Sequence, residues 1–303
     1  MSASANEFHL RLAHSPDPDD AFMWWPLVGM EGEGPEVDTG RWSFELVTGD
    51  IERLNRESEL GTWEITAISC AQYPRVSDRY AFTACGASMG DGYGPKLVTT
   101  SPCDLESLLS GSPHVLVPGD RTSALATLRM MCRGSDLTWQ AVDFETIGDR
   151  VAAGEADAGV IIHEGQLTYR DQGLHLVEDL GVWWERETGL PLPLGGNVIR
   201  RDLEDRWGPG TLEEITGILQ RSVLWAMDNR ERALSYALEF GRGIDRGRAD
   251  EFVEMYVNRW TLDFQDLGRR AVRRFLEEGE SAGCLPAARS IDFIPAGPPP
   301  AVS

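Results

Sequence analysis

The chain has 303 residues, 42% hydrophobic and 9% aromatic, enough for one large domain or two α/β lobes with proper cores. Its formal net charge of −21 argues against a nucleic-acid or anionic-membrane partner, because both need a basic surface. Five scattered cysteines (Cys70, Cys85, Cys103, Cys132, Cys284) form no C-x-x-C, which disfavours a disulfide framework or structural zinc and points to buried thiols in a reducing compartment.

The opening "MSASANEFHLRLAHSPDPDD" has neither the positive n-region nor the apolar core of a secretory signal. No run approaches the roughly 20 apolar residues of a membrane span, so a cytoplasmic protein is expected. "HLRLAH" (9–14) alternates like a strand. In "SPDPDDAFMWW" Ser15 or Asp17 can cap a helix, Pro18 suits its first position, and Asp19 and Asp20 complement the dipole in its first turn. The same acids lack the glycine and distal glutamate of a calcium loop, so no metal is expected there. "WSFELVTG" (42–49) and "WEITAIS" (63–69) read as strands, with a short helix, "DIERLNRESEL" (50–60), between them. "GASMGDGYGPKLVTT" (86–100) fits neither G-x-G-x-x-G nor a P-loop, and its four glycines suit a hinge or crossover strand instead.

A second series follows. "HVLVPG" (114–119) is a strand, and "DRTSALATLRMMCRG" (120–134) a helix with Asp120 or Thr122 as cap. "WQAVDF" (139–144) is a strand, "ETIGDRVAAGEAD" (145–157) a helix, and "AGVII" (158–162) a short buried strand. "LPLPLGGNVIRR" (190–201) reads as a second linker with a returning strand, and segments 211–229, 230–241, 248–260 and 266–282 as helices. Residues 291–303 are expected to be a disordered tail. The pattern predicts an α/β fold of two lobes joined by two crossover linkers: lobe one 7–98 plus 199–290, lobe two 99–198. In such sheets ligands sit outside the carboxyl ends of strands, and between two lobes they are enclosed.

His163 directly follows "AGVII", at the carboxyl end of a lobe-two strand. A general base in the cleft and a structural histidine bonded to a carbonyl are evenly matched on position alone. The next histidine is His175, so H-E-x-x-H is absent and a zinc protease is disfavoured. Thr122, Ser123 and Ala124 open a helix just after a strand, where free N–H groups can cap locally or bind a carboxylate or phosphate. Ser69 ends "ITAIS" at the matching edge of lobe one, as a turn serine or a ligand contact. The tryptophan pairs at 24–25 and 183–184 read as core or cleft wall.

"HSPDPDDAFMWW", "GDIERLN", "AISCAQYP", "GDGYGPKLV", "VPGDRTSALATL", "GEADAGVIIHEG", "DLGVWWERETGLPLPLGG" and "MYVNRWTLDF" occur here in order. Together they resemble the 1,4-dihydroxy-6-naphthoate synthase family, from about residue 9 to 282. The resemblance implies a periplasmic-binding-protein type II-like fold kept in the cytoplasm and used as a carbon–carbon lyase of menaquinone biosynthesis. It implies cyclic dehypoxanthinyl futalosine as the small-molecule substrate, no metal or other cofactor, His163 as proton acceptor, and Ala67, Ile68, Ser69, Ser123 and Ala124 as substrate contacts. A solute-binding protein and a chorismate dehydratase of the same fold are the alternatives; "IIHE" and "LPLPLGG" favour the synthase. The commonest family opening is "SPCPNDTF", against "SPDPDDAF" here, and Cys70 stands where an aromatic is common. The resemblance assigns no role to Asp17, Asp19 or Asp20.

Overall fold

The computed structural model describes residues 8–30, 32–240 and 246–297. Its strands in chain order are β1 (His9–His14), β2 (Ser43–Thr48), β3 (Ile65–Ser69), β4 (Tyr80–Thr83), β5 (Ser88–Gly90), β6 (Lys96–Thr99), β7 (His114–Val117), β8 (Thr138–Ala141), β9 (Ala158–Ile161), β10 (His175–Asp179), β11 (Leu192–Arg200) and β12 (Phe293–Ile294). Among the described residues they form two sheets. The first runs β12-β4-β11-β3-β1-β2 with β5 beside β11, and the second runs β10-β6-β9-β7-β8.

Parallel pairing of β1 with β2 and β3, and of β7 with β8 and β9, needs crossover helices. The sequence supplies their signals. Helix α1 (Pro18–Trp24) has proline in its first turn, and all seven of its residues are buried. Helix α2 (Ile51–Leu60) is capped by Asp50, whose carboxylate accepts from the Glu52 and Arg53 N–H groups, and it stops at Gly61 with φ 68°. Helix α3 (Ser123–Met131) is capped by Thr122, which accepts from the Leu125 N–H. Helix α4 (Leu180–Thr188) is capped by Asp179, which also takes an ion pair from Lys96, the chain's single lysine, at 2.5 Å.

Trp24 and Trp25 are fully buried against the long helix α5 (Thr211–Asp228), which turns Ile215, Leu219, Val223 and Ala226 inward. Burying each of the isoleucine, leucine and valine side chains contributes roughly 1.5–3 kcal/mol. Trp184 belongs to the core between the sheets, while Trp183 is only partly buried. All five cysteines are free thiols, and burial pushes Cys70, Cys85 and Cys132 above the usual thiol range.

Three expectations are corrected. Lys96–Thr99 lies in the second sheet and Leu192–Arg200 in the first, so the chain changes sheet before 96 and before 192, not at 98/99 and 198/199. The linkers continue into strands, as expected, but each strand pairs in the sheet it enters rather than the one assigned to it. The tail expected to be disordered from 291 is ordered at Phe293–Ile294, which pairs in parallel with β4 while the Phe293 ring stacks on Phe82 at 5.4 Å; residues 298–303 lie outside the described residues. The helix expected over 248–260 is two. Helix α6 (Arg246–Tyr256) ends where Asn258 turns extended and caps a new short helix, α7 (Arg259–Leu262).

The first crossing is tight. A Cβ on Gly181 would stand 1.9 Å from the Tyr93 carbonyl oxygen, and one on Gly94 would stand 2.7 Å from the Gly181 nitrogen. Only glycines let the crossing loop and the start of α4 approach this closely.

Candidate functional site

Four chain ends meet where the sheets face each other. These are the β1–α1 turn, the ends of β3 and β9, and the start of α3; the β11 entry and α6 complete the wall. They enclose a cleft of about 770 Å³ including its mouth. His163, Ala67, Ile68, Ser69, Ser123 and Ala124 all line it, so the structure brings every site residue expected from sequence to one place. Strand directions explain this, since β3 and β9 deliver their carboxyl ends to the same gap.

His163 lies two residues past the end of β9 in a left-handed backbone, φ +53°. For a residue with a Cβ this costs roughly 1–2 kcal/mol, so neighbours must impose it. Gln166 does so. Its backbone N–H donates to the His163 carbonyl at 3.1 Å. With its amide nitrogen facing the Gly94 carbonyl, its side-chain oxygen accepts from the His163 N–H at 3.3 Å and from the Tyr256 hydroxyl at 2.7 Å. Phe144 meets the imidazole edge-on, ring centroids 4.7 Å apart. On the other side the Asp17 carboxylate lies 3.0 Å from Nδ1, with a side chain only 2% exposed against 19% for His163.

Ser69 and Ser123 are held differently. Asn55 of α2 accepts from the Ser69 N–H at 2.9 Å and donates to its hydroxyl at 3.0 Å, aligning the end of β3. The Ser123 hydroxyl donates to the Leu194 carbonyl at 2.6 Å and accepts from the Ala71 N–H at 3.2 Å, so it ties α3 to the first sheet. What Ser123 and Ala124 offer a ligand is therefore their first-turn N–H groups, which have no acceptor within the helix.

The β1–α1 turn makes the floor acidic. Asp20 accepts from the Ser15 N–H at 2.8 Å and hydroxyl at 2.6 Å, yet burial still raises its carboxyl above the usual range. Burial raises Asp19 well above it, and the charges of Asp20 and Asp17 add to the effect. In its protonated form a carboxyl here can donate a hydrogen bond at the cleft wall. Among the described residues no three His, Cys, Asp or Glu side chains are grouped to hold a metal ion. No described helix is long and apolar enough to cross a membrane.

Sequence reasoning missed Asp17, Gln166, Tyr256 and Asn55. Asp17 and Asn55 lie in quoted motifs, "HSPDPDD" and "GDIERLN", but their partners are 146 and 14 positions away, beyond what local spacing reveals.

A family model described as menaquinone biosynthesis matches residues 10–281. The 1,4-dihydroxy-6-naphtoate synthase of Thermus thermophilus is 38% identical over 275 residues, 90% of this chain and 95% of that protein. The Streptomyces coelicolor protein of the same name is 33% identical over 282 residues, 92% and 95% of the two chains. A crystal structure of an Archaeoglobus fulgidus protein superposes with a TM-score of 0.83 at 38% identity, covering 94% of this chain and all of that one. A Candida albicans protein described as having the generic periplasmic binding protein fold gives 0.67 at 10% identity, covering 92% of each chain, a likeness of fold alone. The two sheets with the cleft between them are that two-lobed, type II-like architecture.

Proposed function

The chain belongs to the menaquinone-biosynthesis family, and on that premise we propose that it acts as a 1,4-dihydroxy-6-naphthoate synthase on cyclic dehypoxanthinyl futalosine. The observation that carries the reading is the cleft itself. It gathers a histidine held in a costly backbone conformation, two strand ends and the start of a helix around a space for one small molecule. His163 is the general base and takes a proton from the substrate. The electron pair left behind drives ring opening and cleavage of the carbon–carbon bond to the sugar-derived fragment, and the new aromatic ring supplies driving force. The first-turn N–H groups of Ser123 and Ala124 and the β3 end at Ala67, Ile68 and Ser69 hold the polar ends of the substrate. Closure around the substrate excludes water from the intermediate. On this reading the protein is a carbon–carbon lyase working in the cytoplasm.

The test is to incubate purified protein separately with cyclic dehypoxanthinyl futalosine and with chorismate, and to follow products by mass. Naphthoate from the first substrate alone is the expected result. Tight binding without turnover would instead mark a solute-binding protein, and a dehydrated product from chorismate would mark the sibling enzyme. His163→Ala should bind the futalosine derivative and release no naphthoate; wild-type turnover in that variant rules out His163 as the base.

A further inference from the structure

Asp17 occupies the position that caps α1, with the extended backbone of a cap (φ −105°, ψ 151°). Aspartate there ordinarily accepts from the second or third N–H of its own helix. This one makes no such bond. Its carboxylate is turned across the cleft to the second lobe, where it lies 3.0 Å from His163 Nδ1. A side chain that leaves its local partner for one in another sheet, and is 2% exposed there, marks a specific contact.

We propose that Asp17 is the positioning residue of His163: its carboxylate accepts the Nδ1–H, leaves the Nε2 lone pair for the substrate proton, and pairs with the imidazolium once that proton has arrived. The proposal rests on His163 being the base. A neutral imidazole carries one N–H and one lone pair, and whichever nitrogen donates to a carboxylate decides which one is free to accept. When the substrate bond to hydrogen breaks, its electron pair stays on the substrate and the proton on Nε2. Asp17 remains ionised throughout and takes no proton itself. Gln166 holds the His163 backbone and Phe144 meets the ring edge-on, so that Asp17 decides the tautomer rather than the location of the histidine.

The pair also joins the two lobes. Asp17 follows β1 of the first sheet, and His163 follows β9 of the second. Opening the cleft separates the base from its orienting acid, so His163 is a competent base only in the closed molecule. Deprotonation is thereby confined to the state that excludes water.

The experiment combines kinetics with histidine 15N NMR, using 1,4-dihydroxy-6-naphthoate to keep the lobes closed; loss of a signal in His163→Ala identifies the residue. Wild type should carry its proton on Nδ1. Asp17→Asn, which can present an amide N–H₂ to the ring, should move the proton to Nε2. It should lower kcat by about 10²-fold or more, up to the roughly 10⁴-fold that replacing an orienting aspartate by asparagine costs elsewhere, with KM within about threefold. Asp17→Glu should recover part of the loss. A wild-type spectrum with the proton on Nε2 overturns the proposal without any variant having to fold. So does Asp17→Asn with unchanged kcat and tautomer, and an inactive His163→Ala beside it would leave the base assignment standing. An active His163→Ala would remove the base assignment and this proposal together.

Discussion

Asp19 shows how far a single environment can oppose a residue's ordinary charge. Buried at the cleft and flanked by Asp20 and Asp17, it holds its proton well above the usual carboxylate range. The folded state therefore keeps a proton that the unfolded chain releases near pH 4. Stability is full below that pH and falls as pH rises through the raised folded value, by up to about 1.4 kcal/mol per pH unit, before levelling. Asp20 contributes with the same sign. Asp19→Asn keeps the shape and removes this titration. Its melting temperature should exceed that of wild type above pH 7, with the difference closing towards pH 4, as thermal denaturation across pH would read. An equal pH dependence in both proteins contradicts the assignment. Asparagine is also what the resembling "SPCPNDTF" opening places here, a neutral near-isostere of a protonated aspartic acid. The sequence marks "SPDPDD" as a helix start with acids in its first turn, and α1 begins at Pro18 as expected. It does not show which carboxylate turns away from the helix, because the partner of Asp17 comes from the other sheet.

At the scale of elements, the site is made of ends, and each end is fastened by a side chain from a neighbour. Asn55 grips both the N–H and the hydroxyl of Ser69, and its own carbonyl accepts from Gln72 at 2.8 Å. It is fully buried, so Asn55→Ala leaves the Ser69 N–H and hydroxyl without their amide partner. Expected are a loss of about 1–3 kcal/mol in denaturant unfolding and weaker substrate binding, as the end of β3 loses its alignment. Unchanged stability would show that Asn55 does not fasten that end. The strands feeding the cleft were legible because apolar runs such as "ITAIS" and "AGVII" stop abruptly at polar residues. Shorter elements were not. Phe293–Ile294 is only two residues between Asp292 and Pro295, and its pairing with β4 and the packing of Phe293 on Phe82 and Phe264 give it a place. Asn258 interrupts a continuous apolar spacing with a cap that periodicity alone passes over.

Across the whole molecule, the lobes meet through more than the contact between Asp17 and His163. The two-lobe topology was legible from alternating strands and helices with two glycine- and proline-rich crossings. The contacts that hold the lobes together were not, since they join side chains far apart in sequence. Besides the Ser123–Leu194 hydrogen bond, Arg121, at the approach to α3, donates to Glu59 of α2 at 2.6 Å, and its backbone N–H donates to Glu52 at 3.1 Å. Arg121 holds the Glu59 carboxyl below the usual range, but both side chains keep substantial exposure, so solvent screens the pair to about 1 kcal/mol or less. Neither residue lines the cleft, so the pair acts on closure rather than chemistry. A substrate that requires the closed state binds in proportion to how much of that state is populated. Arg121→Ala should therefore raise KM by up to about fivefold, the equivalent of about 1 kcal/mol, with kcat within twofold, because the molecules that close still unite His163 with Asp17. Steady-state kinetics on the futalosine derivative reads the split. A fall in kcat with unchanged KM would place Arg121 in the reacting geometry and contradict a role confined to closure.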